Sequence, residues 1–489
     1  MKPNADHAHA LLTAANQLLE QGHPHAARAT WHAALGMRGD MISAHAQLAL
    51  SYAHTGEHVA ALPHAQQWAL LAPTDAQAHW LLAQLLRAHN RLPESIVQAR
   101  KLLRLAPSWQ GLDLFLAKLY LDTRQMSLAT PHFETALDTS KDDATQHASV
   151  QWEYAMQLLT LSEYERGWRY YNSRFNVFGA TELNCCPLPA ALWQGESLAD
   201  KVIVIHGEQG IGDEVMFTSM VPDVLAQHPK QCILAVHPAL LELMRNSFPS
   251  CTVVAHTRGA ADNARWLRGQ LPDWWHDLTQ ETHVDHHIPM GNLPNLLRRQ
   301  RSDFPKIPHI AIDANRVETM SQALKQQAAA QAISLTGKRL IALAWCGNLD
   351  NPHGRAKSLQ LAQLATLKNS AAQHNIVFVS LQNAQYGTEA RTQTALPIID
   401  MSAHTDDFAD TLALAAQCEH VLTIDTSYFH VCAAAGLPVW LVLREKCDWR
   451  NGWQRSDYDW YESVELIRQN TDGDWSNVFE TLRERLILR

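Results

Sequence analysis

A 34-residue period in the first third of the chain constrains the fold more than any other feature. Gly22 and Gly56 lie one period apart, and the same step leads to Asn90 and Arg124, each between two segments with helical spacing of apolar residues. This period predicts stacked helical hairpins that meet at small residues. Small residues do repeat in register, at Ala15, Ala49, Ala83 and Ala117 and again at Ala27, Ala61, Ser95 and Ala129.

The period and the small residues together are the pattern of tetratricopeptide repeats. A fifth unit follows a four-residue insertion near Ser140–Asp143, with Trp152, Ala155 and Gly167 at the corresponding positions. We therefore predict an α-solenoid of about five repeats over residues 1–175.

Arrays of this kind present a concave face that normally holds a peptide or protein segment. Polar side chains of the first helix of each repeat, such as His45 and His79, are candidates to line that face. A solvated face would have the same composition, and a rigid spacer or a dimerisation arm is the alternative role for the array.

The segment Lys201–Met216, KVIVIHGEQGIGDEVM, predicts a change of fold class. Val202–Ile205 is a β-branched run without polar alternation, which is typical of a central strand in a parallel sheet. The run ends in a glycine-rich turn that contains Gly210 and Gly212, and a helical pattern follows. Glycines let the backbone approach a ligand, and a helix N-terminus favours negative charge, so the turn suits a phosphate or a carboxylate.

Two acids, Asp213 and Glu214, follow this turn. The glycine spacing differs from the GxGxxG dinucleotide fingerprint, and two carboxylates would repel a pyrophosphate placed directly on them. Asp213 at the mouth of the turn suits the removal of a proton from a hydroxyl. The alternative is that Asp213 only caps the helix.

Short apolar strands alternate with helical segments from this point to the C-terminus, which predicts two α/β halves with parallel strands, over residues 176–330 and 331–489. A helix over Glu318–Ala332 is expected to bridge them. The other predicted strands are Ile233–His237, Thr252–Ala255 and Thr282–Pro289 in the first half and Arg339–Trp345, Ile376–Leu381, Val421–Ile424 and Val439–Leu443 in the second.

Each strand of the second half ends in a polar or charged residue. In open α/β sheets the ligand crevice lies at the carboxyl ends of the strands, so these residues are expected to share one rim. They are Asn348, Gln382, Asp425 and Arg444.

The segment Asp425–His430 combines a strand end with a helix start. Thr426 and Ser427 supply hydroxyls that, with free N–H groups, could bind a diphosphate, and His430 lies about one turn further on. Arg355 or Lys357, in a basic loop after a strand, could neutralise a leaving diphosphate. Capping of a βα turn and a solvated basic loop are the respective alternatives.

Composition excludes some classes of protein. The net charge of −9 argues against an electrostatic nucleic-acid binder. We expect a cytoplasmic protein without a membrane span, because no apolar run approaches the roughly 18 residues needed and the N-terminus lacks a signal pattern. No CxxC or HExxH motif accompanies the histidines, so we expect no metal site.

Several motifs make the chain resemble the bacterial tetratricopeptide-repeat proteins with a C-terminal glycosyltransferase domain similar to the heptosyltransferase family. The motifs are Tyr164-Glu-Arg-Gly-Trp168, Trp193-Gln-Gly195, Glu208-Gln-Gly-Ile-Gly-Asp213, Trp345-Cys-Gly-Asn348, Asp406-Asp-Phe-Ala-Asp-Thr411, Asp425-Thr-Ser-Tyr-Phe-His430 and Asp448-Trp-Arg450. The resemblance implies a GT-B architecture, in which two Rossmann-like halves face each other across a nucleotide-sugar cleft.

The resemblance also implies roles for particular residues. Asp213 would be the base that deprotonates the acceptor, and Lys357 would sit on the donor phosphates, although relatives usually have Arg-Ser where this chain has Lys357-Ser358. The transfer would be metal-independent and inverting, with a nucleotide sugar as co-substrate and no cofactor. The expected donor-binding residues are Gly210, Gly212, Asn348, Gln382, Asp425, Thr426, Ser427 and His430.

The expected function is glycosyl transfer to a protein that the repeats recruit, with flagellin or another surface protein as the expected acceptor. One alternative is an enzyme of the same fold that acts on a lipid or polysaccharide acceptor. The other is a catalytically silent adaptor in which the C-terminal half is only a scaffold.

Overall fold

The computed structural model describes residues 2–392, 396–405 and 407–487, and the chain forms two compact units, Met1–Gln151 and Trp152–Arg489. The helices are α1 (Lys2–Glu20), α2 (Pro24–Met37), α3 (Ile42–His54), α4 (His58–Leu71), α5 (Ala76–Ala88), α6 (Leu92–Leu105), α7 (Leu112–Asp122), α8 (Met126–Thr139), α9 (Ala144–Thr160), α10 (Tyr164–Tyr171), α11 (Arg174–Glu182), α12 (Ile211–Phe217), α13 (Val221–Leu225), α14 (Leu241–Ser247), α15 (Ala260–Leu267), α16 (Asp273–Glu281), α17 (Leu293–Leu297), α18 (Ala314–Ala330), α19 (Pro352–Lys357), α20 (Leu361–Leu364), α21 (Lys368–Gln373), α22 (Ala384–Thr392), α23 (Phe408–Ala415), α24 (Ser427–Ala434) and α25 (Ser476–Ile487). The strands are β1 (Ala191–Leu192), β2 (Val202–His206), β3 (Gln231–Val236), β4 (Thr252–Ala255), β5 (His286–Pro289), β6 (Arg339–Ala344), β7 (Ile376–Ser380), β8 (Ile398–Ile399), β9 (His420–Ile424), β10 (Val439–Leu443) and β11 (Val464–Arg468).

The N-terminal unit consists of helix pairs, α1 with α2, α3 with α4, α5 with α6, and α7 with α8. The turn inside each pair has the same left-handed backbone, with φ of 81° at Gly22, 76° at Gly56, 56° at Asn90 and 63° at Arg124. Glycine adopts this conformation without steric cost, and the other two residues adopt it in the same structural position. The period found in the sequence is therefore a repeat of one hairpin.

The small residues of the period lie where the two helices of a pair touch. Side chains larger than these would force the helices apart, because interiors of this kind are closely packed. The predicted hairpin repeats are confirmed. The fully buried positions are Ala15, Ala27, Ala49, Ala61, Ala83, Ser95, Ala117 and Ala129.

The histidines proposed for an exposed face are instead inside the repeats. His45 is 7% exposed and His79 is 1% exposed. Nδ1 of His45 lies 3.1 Å from Nδ1 of His64, and Nδ1 of His79 lies 2.8 Å from Oε1 of Gln98. The expectation that they line a concave face is wrong, because each links the first helix of its repeat to the second.

The helices α9 and α10 keep the geometry of the repeats. Ser162 between them has a φ of 61°, Ala155 is fully buried, and a Cβ added at Gly167 would lie 2.6 Å from Cδ2 of Leu159. The division between the two units nevertheless falls inside α9, earlier than the expected end of the array at residue 175. The physical reason is that α10 packs into the C-terminal unit, where Trp168 contacts the rings of that unit.

The first sheet of the C-terminal unit has five parallel strands in the order β1-β5-β2-β3-β4. β2 lies between β5 and β3, and all of its residues are buried. This confirms the prediction of a central strand. The very short β1 is an addition to the predicted set, since two residues give no pattern to read.

The second sheet has six parallel strands in the order β11-β10-β9-β6-β7-β8. The four predicted strands are present, within a residue of the expected bounds. β8 and β11 are additions at the two edges. β11 escapes the sequence pattern because its Glu and Arg residues are only partly buried, as edge positions allow.

The helices that follow β2 and β9 bring the two sheets together. α12 packs against α24, and a Cβ added at Gly212 would lie 2.8 Å from Cδ2 of His430. The predicted bridging helix is present as α18 and packs on α23. As a result, the carboxyl ends of strands from both sheets face a common space.

None of the helices within residues 2–392, 396–405 and 407–487 combines the length and the apolar character that crossing a membrane would require.

Candidate functional site

A cleft of about 450 Å³ lies between the turn after β2 and the loops after β6, β7, β9 and β10. Its lining comes from both sheets of the C-terminal unit, and it places nine of the ten sequence-predicted site residues on its walls. These are Gly210, Gly212, Asp213, Asn348, Lys357, Asp425, Thr426, Ser427 and His430.

The two acids of the glycine-rich turn point in different directions. Asp213 lines the cleft, whereas Glu214 is fully buried on the other side of α12. The Glu214 carboxylate accepts a hydrogen bond of 3.0 Å from the backbone N–H of His237 and pairs with Arg258. Only one of the two negative charges is therefore presented to a ligand.

Asp213 both caps its helix and faces the cleft. Oδ2 accepts a hydrogen bond of 3.0 Å from the backbone N–H of Gly210, and Oδ1 accepts one from the Arg450 guanidinium. Burial raises the pKa of the Asp213 carboxyl, while Arg450 and the bond from Gly210 oppose that rise. The two roles considered from the sequence are compatible in this geometry.

Arg450 is a cleft residue that was not among the predicted site residues. It follows β10 in a short 3₁₀ turn, its Nη1 donates to Oδ1 of Asp448 at 2.7 Å, and its guanidinium lies 4.5 Å from the ring centroid of Trp449. The motif Asp448-Trp-Arg450 is visible in the sequence, but the pairing of Arg450 with Asp213 joins distant parts of the chain and leaves no local pattern.

The opposite wall is built around the start of α24. Thr426 precedes the helix and Ser427 begins it, so the backbone N–H groups of its first turn lack intrahelical acceptors. Nζ of Lys357 lies 3.9 Å from Oδ2 of Asp425, and the Lys357 side chain is 36% exposed. This wall therefore offers donors and a loosely held positive charge.

His430 lies at the contact between the two walls. Its Nδ1 is 3.1 Å from the Tyr461 hydroxyl, and its Nε2 is 4.0 Å from Oδ1 of Asp425, too far for a hydrogen bond. Burial, helped by Arg450 and Lys357, lowers the pKa of the imidazole well below its usual value. His430 is thus a neutral residue that lines the cleft and also packs.

Two strand-end residues expected on the same rim do not line the cleft. Gln382 is fully buried, and its Oε1 accepts hydrogen bonds of 3.1 and 3.0 Å from the backbone N–H groups of Trp345 and Cys346. Arg444 donates to both carboxylate oxygens of Asp472 at 2.8 Å. Gln382 therefore fixes the end of β6 beneath the cleft.

A buried ion pair lies behind the glycine-rich turn and was also absent from the prediction. Arg174 donates to the two carboxylate oxygens of Glu208 at 2.6 and 3.2 Å, and both side chains are fully buried. The Glu208 carboxylate also accepts a hydrogen bond of 2.8 Å from the backbone N–H of Gly291. The pair ties α11 and the loop after β5 to the turn that carries Asp213.

The histidines around β5, His283, His286 and His287, lie in a segment whose contacts are structural. His287 lies with its Nδ1 3.1 Å from Nε2 of His206, and burial lowers its pKa to about 4. In the part of the chain that the structure describes, no three His, Cys, Asp or Glu side chains are grouped so that they could hold a metal ion. Asp406, the first residue of one resemblance motif, lies outside the described residues.

Comparisons with known proteins include a similarity over most of the chain. No family model matches. Protein FlbA of Caulobacter vibrioides is 27% identical over 392 residues, which are 78% of this chain and 62% of FlbA. The chain therefore spans less than two thirds of the length of that relative.

Two similar solved structures each cover about a third of the chain or less. YrrB, titled a TPR protein with an unusual peptide-binding site, is 11% identical with a TM-score of 0.31 and covers 34% of this chain and 84% of its own. MamA from Desulfovibrio magneticus is 19% identical with a TM-score of 0.26 and covers 28% of this chain and 77% of its own.

Proposed function

We propose that the C-terminal unit is a glycosyltransferase of the GT-B type that moves a sugar from a nucleotide-sugar donor to a hydroxyl of a protein acceptor. The observation that carries the proposal is the cleft between two parallel sheets, with a carboxylate on one wall and a helix start and a lysine on the other. Ligands of open α/β sheets bind at such carboxyl ends.

Asp213 supplies the acceptor side of the reaction. Its carboxylate takes the proton of the acceptor hydroxyl as that oxygen forms a bond to the anomeric carbon of the sugar. The bond between the anomeric carbon and the diphosphate oxygen breaks in the same displacement. The acceptor oxygen attacks from the wall that carries Asp213, and the diphosphate leaves toward the opposite wall. Attack and departure on opposite faces of the anomeric carbon support inversion of its configuration.

The wall around α24 supplies the donor side. Backbone N–H groups at the start of the helix and the hydroxyls of Thr426 and Ser427 bind the diphosphate, and Lys357 neutralises the charge that develops as the diphosphate leaves. Gly210 and Gly212 let the opposite wall approach the sugar closely. In this scheme the positive charge comes from the chain, and the nucleotide sugar is a co-substrate rather than a resident cofactor.

The repeat array recruits the acceptor polypeptide in this proposal, with flagellin or another surface protein as the expected acceptor. Trp80, Trp109 and Phe115 form a partly exposed aromatic cluster, with ring centroids 6.3 Å apart for the first two and 5.0 Å apart for Trp80 and Phe115. Aromatic clusters that remain partly exposed favour contact with a partner.

The test of the proposed function is hydrolysis of nucleotide sugars by the full chain, measured as release of free nucleotide. Asp213→Asn should lower the rate of turnover by about 10²- to 10⁴-fold, because the general base is lost. Asp273→Asn, which changes an exposed carboxylate in the same half, is the matched control and should keep wild-type turnover. Equal turnover by wild type and Asp213→Asn would contradict the assignment.

One observation favours the second candidate function, a catalytically silent adaptor. Both oxygens of Asp213 already have partners in the chain, which is what a purely structural carboxylate would show. An adaptor predicts neither nucleotide binding nor turnover in the same assay. An enzyme acting on a lipid or polysaccharide predicts turnover whose transfer product does not change when Trp80 is replaced by Ala.

A further inference from the structure

Arg450 joins the two walls of the cleft. It belongs to the loop after β10 in the second sheet, and it pairs with Asp213, which belongs to the turn after β2 in the first. The Arg450 side chain is 13% exposed and lines the cleft. A cation in direct contact with the proposed base affects how that base works.

We propose that Arg450 is a positioning residue that keeps the Asp213 carboxylate ionised and oriented toward the acceptor hydroxyl. The inference rests on the proposed function of the cleft and adds a residue to it.

The contact leaves Asp213 able to accept a proton. Each carboxylate oxygen has two acceptor positions, and Arg450 and the backbone N–H of Gly210 occupy one on each oxygen. The two bonds fix the rotation of the carboxylate, and one lone pair on each oxygen stays available to a hydroxyl. The two hydrogen bonds thus orient the Asp213 carboxylate and still leave it able to accept a proton.

The electrostatics around Asp213 require a cation. Burial and two neighbouring carboxylates raise the pKa of Asp213, and Arg450 opposes that rise, so the loss of Arg450 would raise the pKa further. A protonated Asp213 cannot accept the acceptor proton. The charged or titratable groups that interact electrostatically with Asp213 include Arg450, Asp448, Asp425, Tyr171, Tyr461 and Arg258.

The short turn after β10 that carries Arg450 is itself held by hydrogen bonds and ring contacts. Oδ1 of Asp448 accepts hydrogen bonds from the Arg450 backbone N–H at 3.1 Å and from its side chain at 2.7 Å. The Trp449 ring under the guanidinium lies edge-on to Trp168 at 5.3 Å and to Tyr171 at 6.1 Å. Residues at the end of α10 therefore help to hold this turn in the orientation in which Arg450 reaches Asp213.

The experiment is the pH dependence of kcat/KM for nucleotide-sugar turnover by the full chain, with wild type, Arg450→Met and Arg450→Lys. In Arg450→Met the acid limb of the profile should move to higher pH by about one unit or more, so that activity near neutral pH falls about tenfold and recovers at higher pH. Arg450→Lys keeps the charge and should leave the limb within a few tenths of a unit of wild type.

The matched control is Arg444→Met. Arg444 also follows β10 and also pairs with an aspartate, but it lies outside the cleft lining. Its replacement should leave the acid limb in place. If Arg450→Met fails to fold, Arg450→Gln, which keeps a donor without the charge, provides the same comparison.

The outcomes separate this inference from the proposed function. A wild-type chain without turnover overturns the proposed function and the inference with it. Wild-type turnover together with an Arg450→Met profile whose acid limb is unmoved, whether the activity is full or uniformly reduced, overturns only the inference. A shifted limb that Arg450→Lys restores supports it.

Discussion

The two walls of the cleft hold their charged side chains in different ways. On the first wall, Asp213 is held by Arg450 and by a backbone N–H, and the ion pair of Arg174 with Glu208 lies buried behind it. On the second wall, Lys357 is 3.9 Å from Asp425 and more than a third exposed. A fixed carboxylate faces an adaptable cation, which suits the proposed reaction, whose geometry would be set on one side and whose ligand charge would be neutralised on the other.

The largest effect is expected from breaking the support of the fixed wall. Arg174→Met leaves the fully buried Glu208 without its cation and should lower the free energy of unfolding by about 3–5 kcal/mol. Chemical denaturation measures the loss. Arg245→Met, which removes an exposed partner of Glu242, is the control and should have little effect. Equal stability of Arg174→Met and wild type would mean that the wall does not depend on this pair.

A pH titration contrasts Asp213, which lines the cleft, with Asp459, a buried acid that is also paired with arginine. Burial would raise the pKa of Asp459, but hydrogen bonds from Arg455, Tyr164 and Arg301 lower it to about 2. Because the folded pKa is depressed, wild type should exceed Asp459→Asn in stability by about 2 kcal/mol above pH 4, and the excess should vanish as the pH falls toward 2.

Asp213 should titrate with the opposite sign. Its folded pKa is raised, so its contribution to stability is present below its unfolded pKa and is lost as the pH rises through the folded value. Wild type should therefore gain stability relative to Asp213→Asn as the pH falls, as followed by thermal unfolding. If wild type instead gained stability relative to Asp213→Asn as the pH rises, Asp213 would titrate like Asp459, and the expected difference between the two carboxylates would be wrong.

Pushing the walls apart should have a smaller effect on stability. In Gly212→Ala the added methyl group would lie 2.8 Å from the His430 ring, and the resulting shift should cost about 1–3 kcal/mol. Denaturation and nucleotide binding can be followed on the same variant. Gly39→Ala, where the nearest atom is 3.8 Å away, is the control. A Gly212→Ala chain with wild-type stability would show that the contact between α12 and α24 is loose.

The smallest effect on the fold is expected on the adaptable wall. Lys357→Met should weaken the binding of a nucleoside diphosphate about tenfold, because one phosphate cation is lost, with stability unchanged. Titration calorimetry gives the affinity, and Lys357→Arg should restore it. Lys368→Met changes an exposed lysine of the same half and serves as the control. If Lys357→Met bound the nucleoside diphosphate with wild-type affinity, the phosphates would not contact Lys357.

Local patterns in the sequence predicted the helices and strands. They could not predict which side chains from distant segments pair with each other. The hairpin turns at Gly22 and Asn90 and the strand β2 follow from periodicity and composition, which each segment carries by itself. Arg450 belongs to a motif visible in the sequence, but Arg450 and Arg174 pair with acids on other elements, and neither sequence neighbours nor spacing indicate those pairings. Gln382 was placed correctly at a strand end, but the direction of its side chain is set by the backbone N–H groups of the two residues that follow β6.

Thermal unfolding of the full chain with a panel of nucleotides and nucleotide sugars is the decisive test of a nucleotide-sugar site in the cleft. A ligand at about 100 times its dissociation constant should add roughly 2.7 kcal/mol to the folded state. A nucleotide-sugar site that includes Lys357 predicts a clear shift with one nucleotide class and a smaller shift for Lys357→Met at the same concentration. The absence of a shift with every member of the panel would contradict a nucleotide-sugar site in the cleft.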